Sequence, residues 1–248
     1  MFDAIPVESL KRNLARVRQR IAAAAAKVSR PPDAVKLVAV TKYVGVPEIR
    51  ALVELGVTDI GESRVQDAEQ KIQAFEAAPA GPHWHLVGHL QTNKADKAAR
   101  LFQTVHSVDS IRVAQALHKE LQKLAGKTGA RQALTCLLEV NVAGEAAKFG
   151  LPPAAPEIAA LLRPAAELST LRIVGLMTLA PYAENAEPVA RPVFRRLREL
   201  RDELNAQHCY PHALTELSMG MTQDYWIAVE EGATLVRVGS ALFEAAQP

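Results

Sequence analysis

Three sets of residues in this chain have types and spacing suited to chemistry. Lys42 follows the apolar run Leu37 to Val40 within two positions. A lysine just past a strand is most often solvated. One that is partly desolvated and near a second cation has a lowered pKa, and its neutral amine can condense with a carbonyl. The segments Ser218-Met219-Gly220 and Gly239-Ser240 offer hydroxyls and closely approachable backbone N–H groups, with Arg237 just before the second. Either segment alone is usually only a turn, but together they suit a phosphate. His83 and His85, in HWHLVGHL with His89, alternate and so share a strand face, as metal ligands can. Such histidines are more often packing residues, and the arginine at 237 stands where a metal site would want a carboxylate.

These residues need elements to hold them. Apolar runs mark strands at 37–41, 59–61, 84–87, 104–107, 134–140, 172–177, 216–218 and 234–238. Helical periodicity falls between them, at 47–55, 64–77, 94–101, 110–124, 156–168, 188–205 and 223–231, after a leading helix at 7–28. Strands alternating with helices imply parallel pairing through right-handed crossovers. Eight such units close most economically into an α/β fold, a (β/α)8 TIM barrel, with the extra N-terminal helix filling the gap after the last strand. An open doubly wound sheet is the competing arrangement. Gly and Pro cluster at 79–82, 126–129 and 152–156, and no long linker divides the chain, so residues 1–248 are expected to form a single domain. In a barrel the reacting groups lie at the C-terminal strand ends, and phosphate sites often lie after strands seven and eight. Lys42 and the Ser218 and Gly239 segments occupy those positions, so a phosphorylated aldehyde cofactor is the ligand they suit.

The composition, 49% hydrophobic and 23% charged, supplies ample core. A net charge of +2 with no basic run argues against a nucleic-acid partner. Cys136 and Cys209 stand far apart and outside any zinc-type spacing, as expected for reduced thiols in a cytoplasmic protein. Lys11, Arg12, Arg16, Arg18 and Arg20 precede IAAAAAKV, but that run is too short and alanine-rich for a signal peptide. No apolar stretch reaches membrane-spanning length, so no membrane partner is expected.

The motifs VAVTKY, DIGESRVQDAEQKI, HWHLVGHLQTNK, SVDS, EVNVAGEAAKFGL, GLMTLAP, LSMGMTQDY and EEGATLVRVGSALF occur in order from about residue 10 to residue 243. Together they resemble the pyridoxal phosphate homeostasis protein family, a group like the alanine racemase N-terminal domain. The resemblance implies a fold-type III barrel that binds pyridoxal 5'-phosphate (PLP, of the vitamin B6 group) as a Schiff base, a covalent aldimine at Lys42. It implies Arg237 at the pyridine nitrogen, Ser218, Gly239 and Ser240 at the phosphate, and Ser63, His85, Asn93, Met177 and Met219 lining the pocket. No catalytic residue and no metal ligand is implied. The family usually has GEN where this chain has Gly61-Glu62-Ser63, so that asparagine's contact is shortened or lost. Val44 replaces a second lysine often present there, while Lys148 matches a family lysine able to form a secondary aldimine.

The function implied is a carrier or buffer in intracellular PLP homeostasis, without robust turnover, with apo PLP-dependent enzymes as candidate recipients and a monomer or weak dimer as the expected state. An arginine at the ring nitrogen donates a hydrogen bond without giving up a proton, which makes the ring a weaker electron sink. The alternative is a small PLP-dependent amino-acid racemase. Racemases with this barrel use a tyrosine from an appended C-terminal β-domain, for which this chain has no evident room; Tyr43, Tyr182, Tyr210 and Tyr225 have no evident equivalent role.

Overall fold

The strands form where β-branched and aliphatic residues run together, and the barrel closes because each run pairs with the next in chain order. In the computed structural model, which describes residues 5–75, 81–128 and 133–244, the strands are β1 Lys36–Val40, β2 Asp59–Glu62, β3 His83–Leu86, β4 Thr104–Val108, β5 Leu134–Glu139, β6 Leu171–Met177, β7 Glu216–Ser218 and β8 Leu235–Val238. All are parallel, in the order β1 to β8. β8 returns to β1 with Lys36 opposite Leu235 and Val38 opposite Arg237. The helices are α1 Val7–Lys27, α2 Val46–Glu54, α3 Val65–Gln73, α4 Ala95–Leu101, α5 Ile111–Thr128, α6 Ala155–Ala165, α7 Glu187–Ala206, α8 Tyr225–Glu230 and α9 Ser240–Phe243. The fold is the expected (β/α)8 barrel.

Apolar side chains occupy two layers. The outer, larger layer lies between sheet and helices and includes Ala39, Ile60, Leu86, Val105 and Val236. The inner layer is a small cluster of Val38, Leu137, Met177 and Leu235. Residues separated by two along a strand share a face, so Val38 inside and Ala39 outside set the parity of β1.

Helix α1 buries Leu10, Leu14, Val17, Ile21, Ala24 and Ala25, a spacing of three and four that makes one apolar stripe. That stripe packs against α2, α8 and α9, so the leading helix fills the expected gap. Asn13, buried in the stripe, donates from its amide nitrogen to the carbonyls of Leu242 at 3.0 Å and Glu244 at 2.9 Å. The end of the chain after β8 is thereby fastened to its beginning.

Strand limits differ from the sequence expectation by a residue or so, because pairing with neighbours decides where a ladder ends. Gly126, expected in a turn, lies within α5; a single glycine is tolerated in a helix whose other residues favour it. The helix expected to reach residue 77 ends at Gln73; residues 76 and 77, residues 79 and 80 of the turn expected at 79–82, and residues 129–132 lie outside the described residues. The short α9 was not anticipated. No helix among the described residues is long and apolar enough to cross a membrane.

Candidate functional site

Arg237 lies in β8 with its side chain in the barrel, 3% exposed. Its Nη1 donates to Ser218 Oγ at 2.5 Å and its Nη2 to the Thr178 carbonyl at 2.9 Å. Burial lowers this guanidinium to about 10, against the opposing pull of Asp224 and Glu139. It therefore stays charged at neutral pH.

A chain of hydrogen bonds continues inward. Ser218 Oγ lies 2.8 Å from His106 Nδ1, His106 Nε2 lies 2.9 Å from His85 Nδ1, and His85 Nε2 lies 2.9 Å from Asp59 Oδ1. Burial holds both imidazoles below the usual histidine range, His106 well below it. The Asp59 carboxyl is lowered in spite of burial, by its hydrogen bond from His85 and by the nearby charge of Lys36. The two ends then dictate every proton between them, since a guanidinium only donates and a carboxylate only accepts. His85 gives its Nε2–H to Asp59, which leaves Nδ1 to accept from His106 Nε2–H. His106 Nδ1 in turn accepts the Ser218 hydroxyl proton, and Ser218 Oγ accepts from Arg237. The Ser218 hydroxyl hydrogen is thus already committed, and its role in this arrangement is to hold Arg237 in place.

Above this chain, the loops at the strand ends form a rim. Thr41 Oγ1 donates to Glu62 Oε1 at 2.5 Å, while Lys71 Nζ donates to Glu62 Oε1 and to the Thr41 carbonyl, both at 2.7 Å. These contacts anchor the end of β1 from which Lys42 projects. The Lys42 side chain is exposed, with Nζ 4.8 Å from the centre of the Tyr43 ring. The partial desolvation expected from sequence is not supplied by the chain, because the turn after Thr41 carries the side chain clear of the strands. Val38 is paired with Arg237, so Lys42 lies four residues nearer the mouth, at most roughly 13 Å along the strand direction.

The loops after β7 and β8 meet beside it. Gly220, at φ +92°, lets the chain turn where a Cβ would come 2.6 Å from that of Ala228, and its carbonyl accepts from the Arg237 backbone N–H at 2.9 Å. A Cβ at Gly239 would lie 3.3 Å from the Val40 carbonyl oxygen. Ser240 is exposed and opens α9; the next residue, Ala241, donates its N–H to Thr222 Oγ1.

Of the residues singled out from sequence, Ser218 and Arg237 are in direct contact, Met177 is the β6 partner of Ser218, and Gly239 follows Arg237 by two. His85 is 1% exposed and reaches them only through His106. Met219, next to inward-facing Ser218, packs its side chain in the outer layer and not in the pocket. Ser63 is half-buried, with its carbonyl so close to Gly88 that a Cβ there would lie 2.2 Å from the oxygen. Asn93 is exposed on the 3-10 turn Thr92–Lys94. Lys148 pairs with Glu145 at 2.7 Å in the loop after β5, where Phe149 stacks on His89 with ring centres 3.6 Å apart.

Three participants escaped the sequence reading. His106 and Asp59 belong to the buried chain. Glu139, at the end of β5, is pushed up to about 7 by burial and by Asp109, against the charge of Arg237. Its Oε2 is buried with no hydrogen-bond partner among the described residues.

Comparison with known proteins bears on this arrangement. Residues 8–247 match the family model for the alanine racemase N-terminal domain. The pyridoxal phosphate homeostasis protein of Aquifex aeolicus is 41% identical over 93% of this chain and 95% of its own. The chain belongs to the pyridoxal phosphate homeostasis protein family. The homeostasis protein of Pseudomonas aeruginosa is 40% identical, covering 96% of each chain. A solved relative, PipY of Synechococcus elongatus with PLP bound, superposes with a TM-score of 0.79 at 34% identity, covering 95% of this chain and 100% of PipY. These relatives and the homeostasis-family chain described above share length as well as fold, so the comparison extends over the whole barrel.

Proposed function

We propose that this barrel binds PLP reversibly at its C-terminal mouth and acts in PLP homeostasis, as a single-domain cytoplasmic carrier or buffer. The observation that carries the reading is Arg237, a buried, permanently charged donor held by Ser218 and Thr178 below a rim that presents Lys42. Two of its N–H groups are used by the chain, and a guanidinium has five, so donors remain for the ring nitrogen of a bound cofactor. Gly220 and Gly239 let the two loops pack closely against α8 and the end of β1, where a Cβ would crowd, and this brings Ser240 and the loop of Thr222 together, a placement that suits the phosphate. Lys42 Nζ, exposed at the mouth, would hold the cofactor through its aldehyde. Met177 floors the pocket, and Asn93 and Ser63 lie on its outer margin.

PLP supplies an electron sink for amino-acid chemistry when bound, and that sink is strongest with a protonated ring nitrogen. Arg237 keeps the nitrogen as an acceptor, which favours holding the cofactor over turning substrate over. Because Lys42 is exposed, a cofactor held there would stay open to solvent, which fits release to apo PLP-dependent enzymes from a monomer or weak dimer. A second reading, slow racemase-type proton exchange, is favoured by one observation, the Glu139 carboxyl held near neutrality beside the site.

The visible absorption of the desalted protein after PLP loading tests the first reading. A retained band in the wild type that is absent from Lys42→Ala supports it, and loss of PLP from both on desalting overturns it. Incorporation of solvent deuterium at the α-carbon of an amino acid, dependent on Lys42, would favour the second reading instead.

A further inference from the structure

His83 and His85 are not exhausted by the cofactor site. Together with Asp59 they occupy the opposite, N-terminal end of the barrel interior, where each offers one ligating atom and all three atoms lie within 4.8 Å of one another. Asp59 and His83 are register partners on β2 and β3, and His85 lies two residues on, so strand period places all three on the inner face. We propose that Asp59, His83 and His85 form a binding site for a divalent transition-metal ion of the zinc class, with two imidazole nitrogens and one carboxylate oxygen as ligands.

The support for the ligands is already built. Metal-binding histidines are usually oriented by a hydrogen bond at their other ring nitrogen. His85 Nδ1 has such a partner in His106 Nε2 at 2.9 Å. His83 Nε2 has one in Thr104 Oγ1 at 2.8 Å, which leaves Nδ1 with the lone pair. Each imidazole thus has one ring nitrogen committed to a neighbour, and His85 Nε2 already faces the Asp59 carboxylate at 2.9 Å. Asp59 is ionised and brings the negative charge. A cavity of about 420 Å³, lined by Arg18, Lys36, Gly56, Thr58 and Asp59 among others, reaches one of the three ligands, Asp59. Two nitrogens and one oxygen are the donor set of three-ligand zinc sites, whose fourth position is filled by water.

One obstacle is local and movable. Lys36 Nζ lies 3.6 Å from Asp59 Oδ1, but its side chain is 55% exposed and can turn to solvent. Binding through His85 Nε2 also displaces the proton now shared with Asp59. His85 then carries its proton on Nδ1 and donates to His106, which reverses the chain of hydrogen bonds as far as Ser218. The site is consequently coupled to the support of Arg237 while being separate from the cofactor mouth.

The test uses full-length protein free of PLP, titrated with Zn²⁺ by calorimetry and with Co²⁺ by visible ligand-field absorption. The proposal expects one equivalent bound, a tetrahedral Co²⁺ spectrum, and affinity weaker by about 10-fold or more in His83→Ala, with His89→Ala unchanged. In the wild type, ¹⁵N resonances of three histidine rings shift on Zn²⁺ addition: the ligands His83 and His85, and His106, whose tautomer switches. No binding by the wild type, equal affinity in wild type and His83→Ala, or a Zn²⁺ complex that leaves the histidine nitrogens unshifted would each overturn it.

Discussion

Replacing Ser218 by alanine tests the buried hydrogen-bond chain, and its size follows from the two groups it strands. The hydroxyl is fully buried and serves both Arg237 Nη1 and His106 Nδ1. Its loss leaves a charged donor and a neutral acceptor without partners, and each such buried orphan costs about 1–3 kcal/mol, more for the charged one. A total of about 3–5 kcal/mol is a large part of the roughly 5–15 kcal/mol that holds a native protein together. At about 2–4 °C per kcal/mol for a chain of this size, the melting temperature should fall by about 6–20 °C. Ser107→Ala is the matched control. Ser107 is equally buried, and its hydroxyl makes one neutral bond, to the Gly88 carbonyl at 2.6 Å, so its loss should cost about 1 kcal/mol. Both substitutions remove the same atom, so the difference between them isolates the chain. Thermal unfolding of the PLP-free variants by circular dichroism reads it directly. Equal melting temperatures for the two variants would refute the connected chain.

Glu139→Gln should change how stability depends on pH. The folded carboxyl titrates near 7 against a reference of 4.5, so between those values the folded state binds more protons than the unfolded one. The contribution to stability is complete below the lower value and is lost as pH rises through the upper, at most about 3 kcal/mol. The variant should therefore gain on the wild type in urea unfolding at pH 8 and match it near pH 4; parallel pH curves would contradict this. Asn13→Ala strands the carbonyls of Leu242 and Glu244, and should cost about 1–3 kcal/mol while speeding amide exchange in α9; unchanged exchange there would show that the clasp is not what holds α9. Gly88→Ala should yield little folded protein, because its Cβ would meet the Ser63 carbonyl oxygen at 2.2 Å; a normal melting temperature would mean the two loops are free to separate.

The barrel was legible in the sequence because parallel strands covered on both sides read as short apolar runs, and eight of them alternate with amphipathic helices. Arg237 and Ser218 were legible as residues at the C-terminal ends of the last two strands. His106 was not, because one histidine within the buried strand TVHSV looks like a packing residue until its partner, 112 positions away, is known. Met219 shows a signal that was present and unused: with period two, Ser218 and Met219 cannot both face inward, and the Arg237 contact assigns the interior to Ser218. The exposure of Lys42 depends on how the turn at 42–45 leaves the barrel, and no local pattern encodes that.

The central claim is that Lys42 is the amine at the mouth of a PLP-holding barrel, and borohydride reduction of the PLP-loaded protein followed by peptide mass mapping addresses it most directly. Reduction fixes the cofactor to whichever lysine carries it. The account predicts a single phosphopyridoxyl group on the peptide containing Lys42, at near-stoichiometric yield. A principal adduct on Lys148, or label scattered over the surface lysines, would contradict it.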